Sequence, residues 1–175
     1  MAAGIPGGSA SPTSPGKWHY QAAVIVTSET TDCVVCEKHR LGDKAEGGVL
    51  NQDDLIYVGH VYRQGSTAYR GQLIVEPTRH VPGMGDLNDE EASALGRTCS
   101  RMARLLQDAE GAEHVYLYVI GDEVPHLHVH LVPRYPGTPR EHWGPGVSRW
   151  PDAPRVDSES TRTLISGLRS MLDTT

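Results

Sequence analysis

Residues 126–132 read His-Leu-His-Val-His-Leu-Val and are followed by Pro133. Extended backbone has a side-chain period of two. As a strand, this segment sends His126, His128 and His130 to one face and Leu127, Val129 and Leu131 to the other. The apolar face suits a core. Three adjacent imidazoles are poor core material and repel one another once protonated. Such a row fits a metal site or a phosphate site. Neutral imidazole is also a good nucleophile near pH 7, so a covalent step on phosphorus is open to it.

A second group lies far away in sequence. Cys33-Val34-Val35-Cys36 is a Cys-x-x-Cys, which reads as a metal pair, a redox pair or two incidental thiols. No thioredoxin-like βαβ pattern follows, which weakens the redox reading. The third cysteine, Cys99, sits at helical spacing among apolar residues and reads as a small core side chain.

The elements that must hold these residues can be outlined. Residues 1–16, rich in Gly, Ala, Ser and Pro, read as a disordered lead. Short apolar runs at 22–26, 55–58 and 72–76 read as strands, the last stopping at Pro77. The polar, Gly-rich 41–48 reads as a loop and 63–66 as a turn. Asn88 followed by Glu91 has the capping-box arrangement and starts a helix. Its buried face is Leu95, Cys99, Met102 and Leu106, and it ends near 107–111. Residues 115–120 form a strand apolar on both faces, and the histidine strand ends at Pro133. Residues 138–155 read as irregular, and a last helix with Leu164, Leu168 and Leu172 one turn apart closes the chain. The whole is an α+β domain at 17–137 with a tail, 138–175, packed on it.

Composition narrows the classes. The 175 residues carry a net charge of −6 with His neutral, which argues against a nucleic-acid polymer as partner. A small phosphorylated ligand held by a few groups remains compatible. No apolar run reaches the roughly 18 residues of a membrane span, and the N-terminus lacks a signal-peptide pattern. Three cysteines do not make a disulfide scaffold, so reducing cytoplasm is the expected compartment.

The run HLHVHLV, with Pro133-Arg134 after it, resembles the signature of the histidine-triad (HIT) family. The stretch 71–81, ending in Pro77-Thr78-Arg79-His80, resembles that family's strand and Pro-x-x-His turn, and the capped helix falls in its expected place. The resemblance spans about 33–134. It implies an antiparallel sheet of about five strands with a long helix packed on it, paired into a homodimer. It implies cleavage or transfer of nucleotides through a covalent histidine intermediate, with His128 as nucleophile and His130 neutralising phosphoryl oxygens. Histidine rather than glutamine at 130 resembles the hydrolase branch. A nucleoside phosphoramidate or a dinucleoside polyphosphate is then the substrate type. Nucleotidyl transfer or phosphorolysis is the alternative, with a non-catalytic zinc-stabilised nucleotide-binding module or a metallohydrolase as further readings. Several branches bind a structural Zn2+ through residues that match Cys33, Cys36, His80 and His126 here. Two thiolates and two imidazoles complete a tetrahedron and leave no open position.

Other residues are weighed on this frame. Arg134 and His60 are expected at the substrate. Asp53 and Asp54 read as a solvated pair, and His19, His39, His114 and His142 as surface. Trp143 and Trp150 either cover the site or a partner subunit, or pack on the core. Gly121-Asp122-Glu123 stands where better-known hydrolases carry Gly, Gln and Ser. Its two carboxylates are neutralised by Arg79 or Arg134, protonate a leaving group, or face away.

Overall fold

Two cysteines three residues apart open a helix. Val34–Leu41 (α1) has Cys33 at its N-cap, Glu37 in its first turn and Lys38, His39 and Arg40 in its last, the charge order that the helix dipole favours. The computed structural model describes residues 33–45, 47–61 and 65–173. The expected lead at 1–16, the strand at 22–26 and His19 lie outside these residues.

Val49–Gln52 (β1) turns into Ile56–His60 (β2). At the turn, Oδ1 of Asp53 accepts from the backbone N–H of Leu55 and Ile56 at 2.9 and 2.7 Å, so this carboxylate is a turn former. Ala68–Tyr69 (β3) and Leu73–Pro77 (β4) follow. The helix Asp89–Glu110 (α2) begins at the expected box: Asn88 Oδ1 accepts from Glu91 N–H, and Glu91 Oε2 accepts from Asn88 N–H, both at 2.9 Å. It ends at Gly111, whose φ of 69° suits a residue without Cβ. His114–Tyr118 (β5), Val129–Arg134 (β6), Arg155–Val156 (β7) and Ser158–Leu172 (α3) complete the chain.

Five strands make one antiparallel sheet in the order β1-β2-β4-β6-β5. Val58, Leu73, Val75, Val129 and Leu131 face α2, whose Leu95, Cys99, Met102 and Leu106 are buried against them, together with Leu164 and Leu168 of α3. Leu106 is fully buried, so its truncation to Ala costs about 2–5 kcal/mol. The expected α+β fold, with a long helix and a C-terminal helix, is the fold observed.

Boundaries differ for physical reasons. β6 does not stop at Pro133. Its pairing with β4 ends at Leu73–Leu131, while β5 continues alongside with Val115 opposite Pro133. One side of β6 is therefore free of a ladder there, and a missing N–H is tolerated. Pro77 likewise belongs to β4 as its last residue. β5 ends at Tyr118, where its ladder with His130 ends, and Val119 and Ile120 are exposed. The expected loop at 41–48 includes the end of α1. In the tail, β7 pairs with β3, and Val147 and Ala153 pack with Val132 and Tyr69 on the sheet face away from α2.

Candidate active site

The period of two holds from His126 onward even though the ladder begins at Val129. Leu127, Val129 and Leu131 lie in the core, and the histidines occupy the opposite side. His128 and His130 line a cleft of about 840 Å³ between that face of the sheet and α1. Their rings meet edge to face at 5.2 Å. Nδ1 of His128 donates to the carbonyl of His126 at 2.7 Å. The proton is therefore held on Nδ1, and Nε2 keeps its lone pair. His130 takes the other tautomer. Its Nδ1 accepts from the Gln72 amide at 3.4 Å, which puts its proton on Nε2, and its ring stacks on Tyr118 at 5.3 Å. Burial first, then the nearby His128, pushes its pKa below the ordinary imidazole value. A neutral ring in this tautomer can donate a hydrogen bond from Nε2.

His126 is fully buried and faces the cysteines. Its Nδ1 lies 3.5 Å from the sulfurs of both Cys33 and Cys36, and Nδ1 of His80 lies 3.4 Å from Cys36. All four ligand atoms lie within 4.8 Å of one another. A tetrahedron with ordinary Zn–S and Zn–N bonds has S to N edges of about 3.6 Å, so the four side chains fit Zn2+. Burial pushes the His126 pKa down, and its Nε2 donates to the Pro77 carbonyl at 2.9 Å. The ring is thus neutral, with the free nitrogen turned to the sulfurs. Without a metal, burial and then Cys33 push the Cys36 thiol up to about 11. A redox Cys-x-x-Cys needs the opposite shift.

Local structure explains this convergence. The spacing of Cys33 and Cys36 places both sulfurs on one side of the first turn of α1. His80 is fixed by its neighbour: Arg79 forms two 2.7 Å hydrogen bonds to Glu91 and one of 2.9 Å to the Asp86 carbonyl. The capping box of α2 therefore also anchors the turn that carries His80.

The HIT domain model matches residues 46–137, just over half of the chain. The chain belongs to the HIT family. Its HIT domain shares its fold with a Zn-bound histidine triad family protein from Mycobacterium smegmatis, at TM-score 0.60 and 20% identity over 83% of this chain and 99% of that one. A hypothetical histidine triad nucleotide-binding protein from Sulfolobus tokodaii gives 0.63 and 18% over 81% and 93%. A diadenosine triphosphate hydrolase from Plasmodium falciparum gives 0.56 and 16% over 76% and 80%. No curated protein sequence matches the chain.

Two residues expected at the substrate, Arg134 and His60, have other partners in the HIT site. Arg134 does not line the cleft. It follows His130 by four residues on the same face, about 13 Å along the strand. There it lies under Trp143, 3.7 Å from the ring centroid, and pairs with Glu113 at 3.3 Å. Trp150 packs against the Tyr69, Val132, Val147 and Ala153 cluster, while Trp143 stays 40% exposed over Arg134. His60 borders the cleft, but it pairs with Leu73, and cross-strand partners share a face. Its ring belongs to the α2 side, where Nδ1 donates to the Val61 carbonyl at 2.6 Å. Asp122 and Glu123 are exposed, while Val124 lines the cleft.

Sequence reading missed a buried polar group in the HIT site. His39, expected at the surface, is buried, and its Nε2 lies 2.9 Å from Glu76. Lys38 reaches the same carboxylate. Glu76 is fully buried, yet hydrogen bonding from His39 and the Lys38 charge outweigh burial and hold its pKa below the ordinary carboxylate value. The available signal was an acidic residue in an otherwise apolar strand, which demands a buried partner.

Proposed function

We propose that the chain is a nucleotide hydrolase that acts at an α-phosphate through a nucleotidyl-histidine on His128. The observation that carries this reading is the hydrogen bond from His128 Nδ1 to the His126 carbonyl. It prepares Nε2 as a nucleophile beside a neutral N–H donor, His130. In the first step Nε2 forms a bond to phosphorus, and the bond from phosphorus to the leaving group breaks with its electron pair. The leaving group takes up a proton from solvent. Nε2–H of His130 stabilises the charge on the phosphoryl oxygens. Water then adds to phosphorus, the P–N bond breaks, and a nucleoside monophosphate leaves. The diadenosine triphosphate hydrolase among the fold relatives supports a dinucleoside polyphosphate as substrate, with a nucleoside phosphoramidate as the other type.

Cys33, Cys36, His80 and His126 hold a structural Zn2+ in this reading, supported by their spacing and by the Zn-bound relative. The ion supplies a fixed crosslink between α1 and the segment leading into β6. The three free cysteines suit a reducing compartment, which supports the cytoplasm. No helix among the described residues is long and apolar enough to cross a membrane.

A second copy of the chain is the proposed partner. Leu117 and Val119 stay exposed and form an apolar groove with Gly96, Ser100 and Ala103 of α2. A twofold interface would bury this patch on both copies.

The test is incubation of the purified protein with diadenosine triphosphate and with an adenosine phosphoramidate. Release of AMP from either supports the reading. Release of neither AMP nor any nucleotidyl product, from these or the guanosine analogues, contradicts it.

A further inference from the structure

A nucleotide in the cleft brings negative charge to His128 and His130, and Arg134, expected to meet it, is engaged elsewhere, as is Arg79. Arg79 binds Glu91 and the Asp86 carbonyl. Arg134 lies under Trp143. Among the described residues that line the cleft, the Lys and Arg side chains are Lys38 and Lys44. Lys44 is exposed. Lys38 is not loose: its side chain is only 23% exposed, and Nζ stands 4.9 Å above the Tyr57 ring.

Glu76 fixes this ammonium. Nζ lies 2.8 Å from Oε1 and 2.6 Å from Oε2 of Glu76, while His39 holds Oε2 from the other side at 2.9 Å. Glu76 is itself beside the triad. β4 and β6 pair Ile74 with His130 and Val75 with Val129, and one further step of the same register sets Glu76 across from His128. The charges of Glu76 and Lys38 both act on the His130 ring. An ammonium has three N–H donors, and the two carboxylate oxygens engage two of them. That leaves one donor, and Lys38 itself lines the cleft. Its position is set before the ligand arrives, so little side-chain entropy is lost on binding.

We propose that Lys38, oriented by Glu76, is the group that recognises the phosphate of the bound nucleotide beside His128, and that Glu76 is its positioning residue. This rests on the nucleotide reading above. Because the ammonium is already paired, its contribution is a directed charge-assisted hydrogen bond rather than a bare charge. Loss of such a bond weakens binding by about tenfold or more.

Calorimetric titration with AMP and adenosine, and with GMP and guanosine as a second pair, tests this on the full chain. Wild type is compared with Lys38→Met and with Lys44→Met, which removes the same charge from an exposed position. The expected result is a loss of about tenfold or more in nucleotide affinity for Lys38→Met, with nucleoside affinity within about twofold and a much smaller effect for Lys44→Met. Should Lys38→Met unfold or lose its metal, Lys38→Gln keeps a donor to Glu76 without the charge and is read the same way. Equal losses for nucleotide and nucleoside, no loss for either, or equal effects of the two lysine variants overturn the proposal. Wild type that binds no nucleotide and no nucleoside overturns the nucleotide reading itself, and this proposal with it.

Discussion

The carbonyl oxygen of His126 accepts the Nδ1 proton of His128 at 2.7 Å. One residue therefore serves two sites. The ring of His126 lies among Cys33, Cys36 and His80, and its backbone sets the tautomer of the imidazole in the cleft. The Pro77 carbonyl holds that ring from behind at 2.9 Å. The Cys/His cluster and the proposed nucleophile are thus joined through a single peptide unit.

His128→Ala is expected to abolish turnover, by on the order of 10³-fold or more, with fold and metal content intact. The packing of this segment comes from Leu127, Val129 and Leu131, which the change leaves alone. Steady-state rates, metal analysis and thermal unfolding of the variant check this together.

Purified protein is expected to carry about one zinc per chain. Cys33→Ser should release it and lower the melting temperature more than the initial rate, because a four-ligand site without an open position crosslinks rather than reacts. Metal analysis of protein prepared without chelators, beside melting curves and rates, measures both parts. Zinc-free native protein contradicts the claim.

Acid should loosen the start of α2. Hydrogen bonds from Arg79, then from the Asn88 backbone, hold the Glu91 carboxyl down to about 2 against an ordinary 4.5. A depressed pKa means the folded state favours the charged form. The stabilisation is complete above the ordinary value and is lost as pH falls through about 4.5 toward 2. Urea unfolding across this range should show a shallower pH dependence for Glu91→Gln than for wild type. Asn88→Ala, which removes the cap, should cost about 1 kcal/mol at neutral pH.

Light scattering at micromolar concentration should give a mass near twice the 19.0 kDa of one chain. Leu117→Glu places a charge in the exposed groove beside α2 and is expected to yield monomer with an unchanged cleft. A wild-type monomer contradicts the proposed pairing.

What the sequence made legible was local. The histidine row follows from a period of two, and the start of α2 from Asn88 and Glu91, whose side chains satisfy N–H groups three residues apart. What escaped depends on distant partners. α1 is a single eight-residue helix with Val34 exposed, too short to be stable alone. Its anchors are Glu76, reached by Lys38 and His39, and the cysteine cluster. Its charge order, with Glu37 early, Lys38 to Arg40 late and Gly42 after, was the available sign. The pairing of β3 with β7 spans two residues on each side and is set by tail packing around Val147. Arg134 looked free because Trp143, which covers it, lies nine residues on in an irregular segment.

The central claim is a covalent nucleotide on His128. Protein mixed with excess substrate and quenched within milliseconds under conditions that preserve phosphoramidates should carry one nucleotidyl group per active chain, and peptide mapping should assign it to His128. His128→Ala should carry none. A nucleotidyl group on another residue, or turnover at the wild-type rate with no adduct at any quench time, would contradict the account.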